Sequence, residues 1–85
     1  MLSICVRDQD DRPRVLRDPY TDRFAAFTDA DLAHGVALFL RRNGIPEVGI
    51  VRTPVEFPAV AIAVPAAILA AEMLVADLSR CATPA

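Results

Sequence analysis

The spacing of hydrophobic residues changes along the chain, from every second position at the start to a helical period in the middle. In "LSICVRD", Leu2, Ile4 and Val6 alternate with polar or small residues, which is typical of a half-buried strand. The turn-forming "DQDDRP" follows, and "RVLRD" then predicts a second short strand that would complete a hairpin. The segment "PYTDRFAAF" is predicted to be a loop or an irregular strand.

Residues 28–43 carry the pattern of an amphipathic helix with markers at both ends. Thr28 is the predicted N-cap, and Phe27 and Leu32 occupy the positions of a hydrophobic staple. Gly44 suits the left-handed position that ends many helices. The predicted core stripe of this helix comprises Leu32, Ala33, Val36, Phe39 and Leu40.

The second half of the chain repeats the order of strands followed by a helix. "EVGIVRT" and "AVAIAV" have strand composition, and Pro65 suits the first turn of a second helix that runs to Arg80. We therefore predict an α+β fold of ββαββα order, a small two-layer sandwich with three to four mostly antiparallel strands covered by two helices. It forms a single domain over residues 1–80, and residues 81–85 form a frayed C-terminal tail. The helix face predicted to cover the sheet comprises Ala67, Ile68, Ala71, Leu74, Val75 and Leu78.

The apolar run of residues 57–76 is also long enough to suggest a membrane span. Pro58 and Pro65 would interrupt such a helix, and Glu72 would lie in hydrocarbon at considerable cost. A strand, a proline and then a helix explain the run better, so we predict no membrane association. The two cysteines form no C-x-x-C motif, and the N-terminus lacks the features of a secretory signal. Both observations favour a cytoplasmic protein with reduced thiols.

The amino-acid composition indicates that one copy of the chain has more apolar residues than it can easily bury. Apolar residues make up 54% of 85 residues, and a chain this short has much surface for its volume. The alanine face of residues 59–63 and a stripe formed by Leu69 and Met73 are left after the core is filled. This surplus predicts a homodimer through these residues, with a different protein partner as the alternative.

Candidate chemistry is sparse. Cys5 and His34 could in principle form a thiol–imidazole pair. However, Cys5 lies in a predicted strand and His34 on the outward side of a predicted helix, which does not favour their contact. Asp8, Asp10 and Asp11 lack the further ligands and the glycine of a calcium loop. There is no glycine-rich phosphate loop and no nucleophile elbow. We expect no cofactor and no metal.

The leading hypothesis is a non-enzymatic interaction protein: a regulator, an inhibitor or an accessory subunit. The residues predicted to contact its partner are Leu38, Arg41, Arg42, Leu69 and Met73, because apolar anchors beside arginine are common in interfaces. One alternative is a small enzyme or enzyme subunit that uses Cys5 and His34. The other is a nucleic-acid-binding module, although the net charge of −2 argues against it, and its candidate residues are Arg12, Arg14, Arg17, Arg41 and Arg42.

Overall fold

The computed structural model describes residues 1–7, 10–45 and 47–82, with the side chains of residues 79–82 excepted. It confirms the predicted α+β class and element order, and these described residues form two helices and five strands. The additional strand lies in the segment predicted to be a loop or an irregular strand. The elements are β1 (Leu2–Arg7), β2 (Pro13–Val15), β3 (Phe24–Ala26), α1 (Ala30–Arg42), β4 (Val48–Arg52), β5 (Ala59–Ala61) and α2 (Val64–Ala82).

The strands form two sheets that are joined through the start of the chain. The first sheet has the order β2-β1-β4 and is antiparallel throughout, whereas β3 and β5 pair in parallel. Leu2 and Phe27 exchange two backbone hydrogen bonds of 2.9 and 2.7 Å, which connects β1 to the end of β3. The N–H of Leu16 donates to the carbonyl of Ile4 at 2.9 Å. The strands β2 and β3 therefore follow one another along the same edge of β1.

The core lies between the helices and one face of the antiparallel sheet. Ile4 and Val6 of β1 are almost fully buried, and α1 packs against β1, β4 and α2. The odd-numbered residues of β1 point to the opposite face of the sheet, where Ser3 bonds to Thr53 at 2.6 Å between hydroxyl oxygens. Cys5 on this outer face is partly buried. Other buried core residues are Leu16, Phe27, Ala33, Val36, Ala37, Leu40, Ile45, Ile62 and Leu78.

The N-cap of the first helix lies one residue later than predicted. Asp29 is the N-cap, because its Oδ1 accepts a hydrogen bond of 2.9 Å from the N–H of Asp31. Thr28 was the wrong choice, and the staple positions counted from it shift as well. The C-terminal prediction is confirmed: Gly44 has a φ of 94°, and its N–H donates to the carbonyl of Arg41. With the bond from Ile45 to Leu40 this completes a Schellman motif.

The second helix presents most of the predicted face to the core, but Ile68 is turned outward and half exposed. The members of that face that are buried or pack against the core are Ala67, Ala71, Leu74, Val75 and Leu78. The strand before it is also shorter than "AVAIAV", because β5 ends at Ala61 and Val64 already belongs to α2. At its other end α2 continues to Ala82, and residues 83–85 of the predicted tail lie outside the described residues. Ala66 and Ala70, which were not part of the predicted face, are buried as well.

Candidate interaction surface

The side of α2 that faces away from the core is an almost continuous apolar surface, which we call the α2 outer face. At 100° per residue its members span about half of the helix circumference. The large apolar side chains on it are well exposed, at 53% for Val64, 50% for Ile68, 37% for Leu69 and 53% for Met73. The α2 outer face consists of the exposed residues Val64, Pro65, Ile68, Leu69, Glu72, Met73 and Ala76.

A single charge, Glu72, interrupts this surface. Between Val64 and Ala76 the helix has no other charged residue, and its inward side is apolar as well. A helix that is apolar on every side is normally covered on every side. In this chain one half of α2 is covered by the core and the other half faces solvent. The α2 outer face is therefore the feature of the surface that most requires a partner.

Val64 and Ile68 were missed by the sequence analysis, which placed the first in a strand and the second in the core. Leu69 and Met73 were predicted to be outward and are exposed. The information that could have identified all four is that Glu72 is the only charge between Val64 and Ala76, because such a segment leaves an apolar face outside whichever way the helix is rotated.

A cleft of about 830 Å³ lies beside Met73, between α2 and the β2–β3 segment. Arg14 and Asp77 form an ion pair of 3.1 Å across it, and Arg17 lies over the ring of Phe24 at 4.8 Å. Its lining includes apolar residues of both sides. The cleft thus extends the apolar surface of α2 and gives it a polar rim on this side.

The predicted contact residues of α1 lie in a different region. Arg41 donates a hydrogen bond of 2.9 Å to the carbonyl of Val48, so its side chain lies against β4. Met73 lies by β2, and β2 and β4 are at opposite edges of the three-stranded sheet. Leu38 is 46% exposed and Arg42 is exposed. The structure therefore divides the five predicted residues between two surfaces.

The arginines of the nucleic-acid hypothesis remain mixed with carboxylates. Arg14 pairs with Asp77, and Arg17 lies 3.8 Å from a carboxylate oxygen of Asp22. The neighbouring Arg7 likewise contacts two carboxylates. A phosphate backbone approaching these arginines would meet negative charge at the same places, so the arrangement does not favour nucleic acid.

The structure also separates the residues of the enzyme hypothesis. Cys5 lies on the outer face of the sheet, whereas His34 is exposed on α1, which packs on the opposite face. Asp10 and Asp11 are exposed, and Asp8 lies outside the described residues, as does the side chain of Cys81. In the part of the chain that the structure describes, no three His, Cys, Asp or Glu residues come together as a metal site would need.

None of the described helices is both long and apolar enough to cross a membrane. Comparisons with protein-family models, curated proteins and solved structures gave no match.

Proposed function

We propose that this chain is a small non-enzymatic interaction protein, acting as a regulator, an inhibitor or an accessory subunit, and that the α2 outer face binds another protein. The observation that carries the proposal is the exposure of four large apolar side chains around one charge on α2. Removing such a surface from water contributes about 25 cal/mol per Å² of apolar area.

The composition of the surface supports binding to a protein. Leu69 and Met73 are adjacent on the helix because they are four residues apart, and Ile68 lies next to them. Met73 also borders the cleft, where the Arg14–Asp77 pair forms a polar rim. Apolar anchors within a polar rim are the usual arrangement of a protein interface. The flexible methionine side chain can adapt its shape to a partner.

The test uses the double variant Leu69→Asp/Met73→Asp as bait in cells that natively express the protein. Two carboxylates at the centre of an apolar contact remove anchors worth about 2 kcal/mol or more, so we expect recovery of the partner to fall about 30-fold. Val55→Asp is the matched control, since Val55 is fully exposed and lies outside α2. Circular dichroism verifies that all three proteins are folded.

We expect a partner protein that is recovered with the wild type and with Val55→Asp but is lost with the double variant. If the wild type and the double variant recover the same proteins in the same amounts, the α2 outer face is not the binding surface and the proposal fails.

A further inference from the structure

The strand β4 is an outer strand whose backbone groups alternate between its two edges. The N–H of Thr53, directly after β4, donates to the carbonyl of Met1 at 3.0 Å, so the odd-numbered residues exchange hydrogen bonds with the β1 side. In an antiparallel sheet the residues between them direct their N–H and carbonyl groups to the other edge. These residues are Val48, Ile50 and Arg52, and within the described chain no other strand pairs with that edge.

Part of this edge is already occupied. The guanidinium of Arg41 donates to the carbonyl of Val48 at 2.9 Å. Ile50 and Arg52 lie beyond this contact and direct four backbone groups, two donors and two acceptors, away from β1. An edge of this kind binds another extended strand readily.

We propose that two copies of this chain pair through the β4 edge, antiparallel about a two-fold axis at Val51. In this register Ile50 of each copy lies opposite Arg52 of the other copy. The four backbone groups of each edge then meet their complements, and four hydrogen bonds join the copies. The two three-stranded sheets become one sheet of six strands. This surface is distinct from the α2 outer face, so the inference goes beyond the proposed function.

The side chains of β4 are compatible with this register. Val51 is 49% exposed on the outer face of the sheet, and the two-fold axis places it opposite its own symmetry mate. Residues in such a non-hydrogen-bonded pair have close side chains, and β-branched pairs stabilise a sheet. Each Arg52 lies opposite an isoleucine, so no like charges are directly opposed.

Pairing of the edges places the two α1 helices on the same face of the joined sheet, because α1 packs on the core side of β4. Arg41 of α1 already lies against the β4 edge through its hydrogen bond to Val48, so α1 borders the proposed contact.

The experiment is disulfide cross-linking of Val51→Cys in a full-length chain with Cys5→Ser and Cys81→Ser. A non-hydrogen-bonded pair has Cα atoms about 4.5 Å apart, within the range that a disulfide spans. Gly49→Cys is the matched control on the same face, where a new Cβ would meet only the carbonyl oxygen of Cys5 at 3.9 Å. Its symmetry mate lies four residues along the strand, about 13 Å away.

We expect Val51→Cys to form a covalent dimer under mild oxidation at micromolar concentration while Gly49→Cys stays monomeric on a denaturing gel. Equal cross-linking of the two variants, or none in either, would overturn the proposed pairing.

Light scattering across a concentration series provides a second measurement that needs no new thiol. Arg52→Pro removes one outward N–H without removing a bond to β1, and we expect it to raise the dimer dissociation constant at least 10-fold. Leu69→Asp/Met73→Asp should leave the dimer unchanged. The opposite result, with Arg52→Pro still dimeric and the double variant monomeric, would assign self-association to the α2 outer face and refute the β4 pairing.

Discussion

Asp29 holds the start of α1 through two hydrogen bonds. Its side chain accepts from the N–H of Asp31 at 2.9 Å, and its carbonyl accepts from the N–H of Ala33 at 3.1 Å. We expect Asp29→Ala to lower the free energy of unfolding by about 1 kcal/mol, because one N-terminal amide loses its partner. Thr28→Ala is the control and should change it by less than about 0.5 kcal/mol. Urea denaturation measures both, and a larger loss for Thr28→Ala would contradict the observed cap.

The adjacent Thr28 and Asp29 also show a limit of sequence analysis at this scale. Both residue types are good N-caps, so composition cannot decide between them. The choice depends on which residue leaves helical geometry, and Asp29 has extended dihedral angles of −104° and 115°. That geometry depends on Phe27, which is held to Leu2 by two backbone hydrogen bonds from a distant part of the chain.

At the scale of one element, α1 has one glycine inside it and another just after its C-cap, and the two should respond to alanine in opposite directions. Gly35 lies inside the helix, and an added Cβ there would meet nothing within 4 Å. Gly44 has equal space, but its φ of 94° strains any L-residue. We expect Gly35→Ala to raise the free energy of unfolding by about 0.5–1 kcal/mol and Gly44→Ala to lower it by about 1 kcal/mol. Thermal melts that shift in the same direction for both variants would contradict this.

The orientation of α2 was predictable only in part. Because apolar residues lie on all sides of α2 between Val64 and Ala76, hydrophobic periodicity gives little preference for one face. The predicted face included Ile68, which is half exposed, whereas the helix instead buries the smaller Ala66 and Ala70. Alanines allow a close approach between α2 and the rest of the core. The larger Val64 and Ile68 remain exposed, which is why the candidate surface has more apolar side chains than predicted.

The strand β3 was also difficult to predict from the sequence. Its three residues carry no alternation long enough to distinguish a strand from a loop. Its partner β5 follows in the sequence only after α1 and β4. A local sequence pattern cannot indicate a pairing between strands that are so far apart in the chain. The strands β1 and β4 were predicted correctly because each has its own alternating residues.

At the scale of the whole molecule, the apolar run of residues 57–76 is divided between two elements. β5 pairs with β3, α2 packs against α1, and the chain turns between Ala61 and Val64. We therefore expect the protein to be purified without detergent. Fractionation of expressing cells is the measurement, and recovery only in membranes that resist salt and carbonate washing would contradict this division of the run.

The parallel pairing of β3 with β5 also has a consequence for synthesis on the ribosome. Phe24 lies beside Ala59 and Ala26 beside Ala61, so β3 gains its outer neighbour only after about 35 further residues have been made. At ordinary rates of translation that interval is roughly 2–7 s. During this time the hairpin of β1 and β2 can form, but the outer edge of β3 stays open. Nascent chains that meet in this interval have an unprotected strand in common, and chaperone access matters most then.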